Sequence, residues 1–323
     1  MLVLALQGSP RKGNTYRMVT SFLTKCKELG ARTEMLEVAK MNISGCRECD
    51  TCSTKGFCPI DDDMQKVFFL LREADVVVMA TPVFFYGPTA QLKAVIDRSQ
   101  TLWSKKHVFK LNDPGSTSRI GILLSVGATK GKNLFDPMTL IAKYFFDAVQ
   151  ANFSSENTLF FRKIERPHDI EKHPTALKDV ESMAESIVAP LAKRKKILFL
   201  CKKNSCRSQM AYGFARYYFG NRFDFISAGT EPAEKVNPLM VEVMAEKSID
   251  MSYIKPKSLD EVLSQNKIDL VIAMGCEDGC VNIPKAKKID LQLEDPSKGP
   301  IEFVRKVRDE IESFVKSFDF DRI

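Results

Sequence analysis

The 323-residue sequence lacks the long apolar runs of a membrane protein and the clustered charge of a nucleic-acid-binding protein. No apolar stretch approaches the roughly 18 residues of a membrane span. The first residues, MLVLALQGSPRKG, are too short and wrongly flanked for a signal peptide. The net charge of +7 is modest for this length, and the basic residues are spread out apart from KRKK at 193–196 and CKK at 201–203. We therefore expect a cytoplasmic protein that binds neither membranes nor nucleic acids.

Histidine is scarce, and none of the three histidines, at positions 107, 168 and 173, lies near the four cysteines between residues 46 and 58. Cysteine itself is abundant, with nine residues. In a reducing compartment this number indicates metal or redox chemistry more than structural disulfides. Cys26 lies in the middle of a predicted helix and is expected to be buried in its packing.

Short β-rich apolar runs alternate with amphipathic helical stretches along the whole chain. This alternation predicts parallel sheets covered by helices on both faces. The predicted strands are 2–7, 32–37, 75–81, 119–126 and 157–161, then 196–201, 223–228, 269–274 and 286–290. The predicted helices are 14–29, 61–72, 88–103, 134–150 and 175–192, then 208–219, 236–247, 258–265 and 300–317. A boundary near residue 194 gives two three-layer α/β/α domains, 1–193 with five strands and 194–323 with four.

Three loops of the first half follow predicted strands, where binding sites of parallel sheets lie. The stretch LQGSPRKGNTYRM (6–18) leads from a strand into a helix and offers hydroxyl, guanidinium, amide and backbone N–H donors, which suit an anion. An ordinary strand–helix connection is the alternative for this loop alone. The aromatic turn in TPVFFYGPTAQLKAVIDR (81–98) can lie along a flat ring, and SVGATKG (125–131) is the third loop.

These three loops resemble those of the flavodoxin-like NADPH-dependent FMN reductases, over about residues 1–190. The resemblance implies an FMN cofactor with its phosphate on the 9–15 loop and its ring over residues 82–87, and NAD(P)H as a candidate electron donor. The implied flavin-binding residues are Ser9, Arg11, Asn14, Thr15, Pro82, Val83, Phe84, Phe85, Tyr86, Gly87 and Gly127. We also expect a homo-oligomer formed through this domain.

A cysteine-rich segment, GCRECDTCSTKGFC, separates the first two loops. Its four cysteines, Cys46, Cys49, Cys52 and Cys58, suit a tetrahedral or cubane metal site. Three cysteines at this spacing favour a [4Fe–4S] cluster over structural zinc, which usually takes separated pairs or adds histidine. Free, redox-active thiols are the remaining alternative. The spacing resembles that of the iron–sulfur flavoproteins, a branch of the same flavin family.

The second half opens with LFLCKKNSCRSQMA (198–211), in which an apolar strand ends at Cys201 and a helix follows Arg207. The residues between them can form a loop of inward-facing N–H groups, which Arg207 closes on an oxyanion while the helix adds its positive end. The same field favours the thiolate form of Cys201. Asp295, in an Asp-Pro turn, is a candidate proton donor.

Phosphoryl transfer and oxyanion reduction both suit such a loop, and a second thiol pair favours reduction. Cys276 and Cys280 in VIAMGCEDGC follow a predicted strand, where they could resolve a covalent Cys201–arsenic adduct and leave a disulfide. Two buried cysteines without a role are the alternative. Cys206 could instead form a protective disulfide with Cys201.

Four motifs across residues 195–318 resemble the arsenate reductases built on the low-molecular-weight tyrosine phosphatase fold. They are LFLCKKNSCRSQMA, SAGTEPAEKVNP, VIAMGCEDGC and DPSKGPIEFVRKVRDEI. The resemblance implies Cys201 as nucleophile, Arg207 as oxyanion binder, Asp295 as acid, and Asn204 and Ser208 as loop supports. Lys202 and Lys203 replace the threonine and glycine that are usual in that family.

The sequence thus favours an oxidoreductase in which an FMN domain supplies electrons to an arsenate-reducing domain. Thioredoxin or ferredoxin are candidate partners. Two other interpretations stay open. One is a low-molecular-weight tyrosine phosphatase fused to a flavin reductase, and the other is a non-catalytic redox-sensing protein that merely binds an anion.

Overall fold

The computed structural model describes residues 1–275 and 283–322. The chain forms two compact units. The first consists of Met1–Lys110 and Ser118–Lys193, and the second of Leu111–Thr117 and the chain from Arg194 onward. The division into domains 1–193 and 194–323 stays a prediction. Among the described residues, no helix has both the length and the apolar character needed to cross a lipid bilayer.

A five-stranded parallel sheet forms the centre of the first unit, in the strand order β2–β1–β3–β4–β5. Its strands are β1 (Leu2–Gln7), β2 (Arg32–Glu37), β3 (Val76–Pro82), β4 (Ile120–Gly127) and β5 (Thr158–Arg162). Each lies within one residue of its predicted bounds. The inner strands are buried along almost their whole length because helices cover both faces of the sheet.

The helices of the first unit divide between the two faces of this sheet. They are α1 (Asn14–Glu28), α2 (Thr51–Lys55), α3 (Met64–Glu73), α4 (Ala90–Arg98), α5 (Gln100–His107), α6 (Asp136–Ala148), α7 (Asp169–Lys172) and α8 (Ala176–Ala192). Val3 and Ala5 belong to the core beneath α1 and α8. Leu4 and Leu6, which alternate with them along β1, belong to the core beneath α3, α4 and α6. The alternation of strand side chains thus produces the three predicted layers.

The prediction of one helix over 88–103 was wrong, because α4 and α5 are separate helices that meet at Ser99. The Ser99 hydroxyl donates to the carbonyl of Val95 at 2.9 Å, and its backbone N–H is shared between the carbonyls of Val95 and Ile96. Serine competes for backbone acceptors in this way and bends or ends helices. The break leaves Arg98 buried at the end of α4.

A four-stranded parallel sheet forms the centre of the second unit, in the order β7–β6–β8–β9. Its strands are β6 (Lys196–Cys201), β7 (Asp224–Gly229), β8 (Leu270–Met274) and β9 (Lys287–Leu291). Its helices are α9 (Arg207–Phe219), α10 (Pro238–Ala245), α11 (Leu259–Gln265) and α12 (Ile301–Ser317). Ile197 and Phe199 pack in the larger core with α9, α10 and α12, and Leu198 and Leu200 in the smaller core with α11.

Residues 111–117 belong to the second unit although they lie in the first half of the sequence. Asn112 donates its backbone N–H to the carbonyl of Ser248 and accepts from the N–H of Asp250, both at 2.8 Å. The Thr117 hydroxyl donates to the carbonyl of Tyr217, also at 2.8 Å. These contacts fasten the segment to the turn after α10 and to α9.

A buried carboxylate, Glu312, joins α12 to α9 and to the turn after α10. It is 8% exposed and accepts hydrogen bonds from Tyr218 at 2.7 Å, Lys316 at 2.6 Å and Lys247 at 2.9 Å. Burial alone would raise the pKa of Glu312, but the hydrogen bonds from Lys316, Lys247 and Tyr218 lower it from 4.5 to about 2. Glu312 is therefore ionised in the folded protein well below neutral pH.

We expect Glu312→Gln to lower the free energy of unfolding at pH 7 by about 2 kcal/mol, because the folded pKa of the wild-type carboxylate lies below its unfolded value. That stabilisation is present above pH 4.5 and is lost as the pH falls towards 2. Urea unfolding of both proteins at several pH values measures the difference. Glu302→Gln, on an exposed side chain of the same helix, is the control and should change little. An unfolding difference for Glu312→Gln that is independent of pH would contradict this.

Candidate active sites

The loop between β6 and α9 wraps around the sulfur of Cys201, at the carboxyl end of the sheet. Cys201 is 2% exposed. Its sulfur accepts the backbone N–H of Asn204 at 3.2 Å and lies 3.0 Å from the Ser208 hydroxyl oxygen. α9 begins at Arg207, so its first N–H groups and its positive end are next to the same loop. These donors stabilise negative charge on the sulfur or on an anion beside it.

Asn204 holds this loop in shape through its side chain and an unusual backbone conformation. Its φ of +47° lies in the left-handed region, which asparagine adopts more readily than most residues. The side-chain amide donates to Ser208 at 2.8 Å and accepts from the Gln209 side chain at 3.0 Å and the Lys257 N–H at 2.8 Å. All of these contacts are buried or partly buried, so each one is costly to lose.

Arg207 and Asp295 form an ion pair beside the loop. The Arg207 guanidinium, 6% exposed, lies 3.1 Å from the Asp295 carboxylate and also donates to the Leu293 carbonyl at 3.0 Å. Gly275, with a φ of +68°, leaves the necessary room, because a Cβ there would lie 2.3 Å from a guanidinium nitrogen. The structure therefore brings the predicted nucleophile, oxyanion binder and acid into one region.

A second thiol, Cys206, is buried directly before α9 and is 3% exposed. Burial raises the pKa of this thiol to about 12, and the nearby Cys201 and Asp295 add to the increase. Cys206 is therefore protonated at neutral pH and is a poor nucleophile. The protective disulfide with Cys201 stays a prediction.

Sequence reasoning missed two further residues of this region. Glu231, in the loop after β7, lies 3.6 Å from the Lys202 ammonium and 3.5 Å from that of Lys203, so it pairs with both basic residues that replace the family's usual threonine and glycine. Gln209 is fully buried and donates to the backbone and side chain of Asn204. No local pattern in the sequence distinguishes either of them. Cys276 and Cys280 lie outside the described residues.

The predicted phosphate loop of the first unit lies between β1 and α1. Ser9 and Thr15 are buried there, and α1 starts after Gly13 with no capping side chain on its first N–H groups in the part of the chain that the structure describes. Asn14 is a predicted phosphate ligand, but its side chain binds a neighbouring segment. Its amide donates to the Arg166 carbonyl at 2.9 Å and accepts the Ile170 N–H at 3.2 Å.

Arg11 also turns to this neighbouring segment and donates to the carbonyl of Glu165 at 3.0 Å. Gln7, at the end of β1, was missed from the sequence. Its side-chain nitrogen is buried and has no hydrogen-bond partner among the described residues. A buried donor without a partner often marks the position of a bound group.

The other two predicted flavin loops follow β3 and β4. Phe84 and Gly87 exchange backbone hydrogen bonds at 2.9 Å across a tight turn, with Phe85 and Tyr86 at positive φ between them. The turn follows Pro82 and Val83 and exposes all three aromatic rings. A Cβ on Gly131, four residues after Gly127, would lie 3.1 Å from the Tyr86 hydroxyl, so the third loop reaches the aromatic turn.

The three loops thus gather at one edge of the sheet, as predicted. The first N–H groups of α1 and the Gln7 amide are hydrogen-bond donors suited to a phosphate. The exposed aromatic turn is suited to contact with a flat ring. These residues fit an FMN.

The four cysteines of the segment 46–58 line one cavity of about 890 Å³. Cys46 and Cys49 are exposed, and Cys52 and Cys58 are partly buried. A hydrogen bond with Thr51 lowers the pKa of the Cys49 thiol. Among residues 1–275 and 283–322, no three histidine, cysteine or acidic side chains are gathered closely enough to hold a metal ion. Four cysteines that line one cavity are suitable ligands for an iron–sulfur cluster. In this structure their sulfur atoms are not arranged around a common centre.

We expect Asn204→Ala to lower the free energy of unfolding of the second domain by about 3 kcal/mol. The change strands the Lys257 N–H and places alanine at a positive φ. Pulse proteolysis in increasing urea, with fragments identified by mass spectrometry, measures each domain separately. Lys203→Ala, on the neighbouring exposed side chain, is the control. Equal stability of the two variants would show that the amide does not hold the loop.

Two family models match the chain, one for each half. The model of the NADPH-dependent FMN reductases matches residues 1–132, and that of the low molecular weight phosphotyrosine protein phosphatases matches residues 196–320. An iron–sulfur flavoprotein of Methanosarcina thermophila is 34% identical over 131 residues, which are 40% of this chain and 65% of that protein. The chain thus spans slightly less than two thirds of the flavoprotein's length.

An arsenate reductase of Halalkalibacterium halodurans is 41% identical over 134 residues, which are 39% of this chain and 95% of that protein. A solved structure described as an arsenate reductase in the phosphate binding state is 35% identical, covers 38% of this chain and 94% of its own, and has a TM-score of 0.34. The chain therefore carries an FMN reductase domain at its amino-terminal end and belongs, through its second domain, to the arsenate reductases of the low-molecular-weight phosphatase family.

Proposed function

We propose that this protein is a two-domain oxidoreductase that reduces arsenate to arsenite in its second domain with electrons supplied by its first. One observation carries the proposal. Hydrogen-bond donors of the loop surround the Cys201 sulfur, and the ion pair of Arg207 and Asp295 lies beside this loop. Arsenate is a tetrahedral oxyanion, and a guanidinium with inward N–H groups binds that shape and charge. The relationship to arsenate reductases supports arsenic as the element that the sulfur attacks.

The first step is an attack of the Cys201 thiolate on arsenic. The sulfur–arsenic bond forms, one arsenic–oxygen bond breaks, and Asp295 hands a proton to the departing oxygen, which leaves as water. Arg207 neutralises the charge that collects on the remaining oxygens. Asp295 is half exposed and paired with Arg207, which supports its assignment as the proton donor.

The second step needs another thiol, and we assign it to Cys276. Its thiolate attacks the Cys201 sulfur, a disulfide forms, and the electron pair of the sulfur–arsenic bond stays on arsenic, which leaves as arsenite. Arsenic gains two electrons and the two sulfurs lose them. Cys280 then attacks Cys276, which frees Cys201 and moves the disulfide to the pair 276–280. Cys206, protonated and buried, is the less suitable resolving thiol.

The first domain would regenerate the thiols. A bound FMN would supply the redox chemistry that links a two-electron nicotinamide donor to single-electron carriers. Ser9, Thr15 and the first N–H groups of α1 would hold its phosphate, and the turn of Phe84–Gly87 would contact its ring. Cys46, Cys49, Cys52 and Cys58 would hold a [4Fe–4S] cluster that carries single electrons. Linkage in one chain raises the effective concentration of the donor near the disulfide.

A thioredoxin- or ferredoxin-type protein is the alternative electron source for the same disulfide. Phosphate-ester hydrolysis is the second candidate function, because the second domain also matches the phosphotyrosine phosphatase model. In that reaction Cys201 would form a phosphocysteine and Cys276 would have no role. The two functions share the loop and differ in their need for a resolving thiol.

We expect the purified, flavin-loaded protein to produce arsenite from arsenate with NAD(P)H as sole donor under anaerobic conditions. Cys201→Ser should lower this rate at least a thousandfold, since it removes the nucleophile, and Asp295→Asn about a hundredfold, since it removes the acid. Asp319→Asn, at a similarly exposed aspartate, is the control. Reduction of ferricyanide by NAD(P)H, which needs only the flavin domain, should be unchanged in all three variants.

The outcomes separate the candidates. Turnover of an aryl phosphate that survives Cys276→Ser, without any arsenite, would favour the phosphatase. Flavin reduction without turnover of either oxyanion would contradict both and leave a redox-sensing protein. Arsenite production with reduced thioredoxin but never with NAD(P)H would overturn the electron supply from the first domain alone.

A further inference from the structure

One buried arginine closes the cysteine segment, here defined as residues 44–62. Arg98 is the last residue of α4 and is 1% exposed. One terminal nitrogen donates to the Ser44 carbonyl at 2.9 Å and to the Asp62 carboxylate at 2.8 Å. The other donates to the Ile60 carbonyl at 3.3 Å and to the second Asp62 oxygen at 3.1 Å. Both ends of the segment therefore meet at this side chain.

The pair of Arg98 and Asp62 is balanced in charge. Burial alone would raise the pKa of Asp62, but hydrogen bonds from Arg98 and from the N–H groups of Ser44 and Met64 lower it. The carboxylate is thus ionised and accepts two of the terminal N–H groups of the guanidinium, while the other two bind the Ser44 and Ile60 carbonyls. A buried arginine–carboxylate pair in this bidentate geometry gives the segment a fixed closing point.

The remaining N–H of Arg98, on Nε, has no hydrogen-bond partner among the residues that the structure describes. A buried donor left without an acceptor costs about 1–3 kcal/mol, so its position calls for an acceptor. Arg98 lines the same cavity as the four cysteines. The cysteine side chain that interacts with its guanidinium is that of Cys58. Sulfur of a metal-bound or ionised cysteine is an acceptor, whereas a protonated thiol is a weak one.

We propose that the Nε–H of Arg98 donates a hydrogen bond to the Cys58 sulfur when the four cysteines hold their iron–sulfur cluster. This inference rests on the cluster in the proposed function and deepens it. Arg98 is then a positioning residue with two roles, closing the segment and donating to one ligand sulfur. Hydrogen bonds to the sulfurs of a cluster stabilise its more negative, reduced state and so raise its reduction potential.

If Arg98 had a purely structural role, its substitution would change the stability of the protein but not the reduction potential of the cluster. Arg98→Lys keeps the positive charge beside Asp62 but removes the Nε donor. Arg119→Lys is the matched control in the same domain. Arg119 is fully buried as well, but its guanidinium donates to the backbone carbonyls of Ala74, Val149 and Arg72.

The first measurement is a redox titration of the full chain after anaerobic cluster reconstitution, followed by the electron paramagnetic resonance signal of the reduced cluster. We expect Arg98→Lys to lower the ratio of reduced to oxidised cluster about tenfold at a fixed potential, which is a shift of about 59 mV to more negative values. Arg119→Lys should leave the ratio unchanged. Iron content per chain shows that each variant is loaded.

The second measurement needs no substitution and holds if Arg98→Lys fails to fold. Wild-type protein grown with arginine labelled by ¹⁵N at Nε should show a nitrogen coupling to the reduced cluster by pulsed electron paramagnetic resonance. Absence of that coupling, an unchanged titration of loaded Arg98→Lys, or a wild-type chain that binds no iron would each overturn the inference. Arsenate reduction with chemical thiols as donor is independent of the cluster, so failure here is distinguishable from failure at Cys201.

Discussion

The side-chain amide of Asn204 is the contact on which the geometry of the Cys201 loop depends. It forms hydrogen bonds with Ser208, Gln209 and the backbone of Lys257. The backbone of Asn204 itself lies in the left-handed region. That conformation directs the Asn204 N–H at the Cys201 sulfur. Without it the donors of the loop would point elsewhere, and Arg207 would lie next to an ordinary buried cysteine.

A similar arrangement of loops and helix starts is found in the first domain. Both sheets are parallel, so the ends of their strands collect loops and helix starts at one edge. At the first sheet this edge holds an uncapped helix, an orphaned Gln7 amide and an exposed aromatic turn. The cysteine segment is closed separately by the buried Arg98–Asp62 pair. In each domain, charged groups and hydrogen-bond donors are thus already in place in the folded chain. Such preorganisation lowers the cost of rearranging the protein when a ligand binds.

The strands and several site residues could be predicted from the sequence. Hydrophobic periodicity indicates which segments are buried, and motif spacing indicates which residues follow the strand ends. The strands agree within a residue, and Cys201, Ser208, Arg207 and Asp295 do lie together. Other features depend on contacts between residues distant in sequence. The Ser99 break, the attachment of residues 111–117 to Ser248, and the partners of Arg98 leave no local pattern. The helix Thr51–Lys55 was missed because it is polar, and it is bounded by Asp50 and Gly56 at positive φ.

The most direct test of the oxyanion loop is the alkylation rate of its cysteine. The reduced wild-type protein is treated with iodoacetamide at neutral pH, with and without arsenate, and the labelled peptides are quantified by mass spectrometry. We expect Cys201 to react much faster than Cys206 and arsenate to protect it, because the donors of the loop point at the Cys201 sulfur and the anion would occupy the same donors. A Cys201 that reacts as slowly as Cys206 and ignores arsenate would contradict the nucleophile on which the proposed chemistry rests.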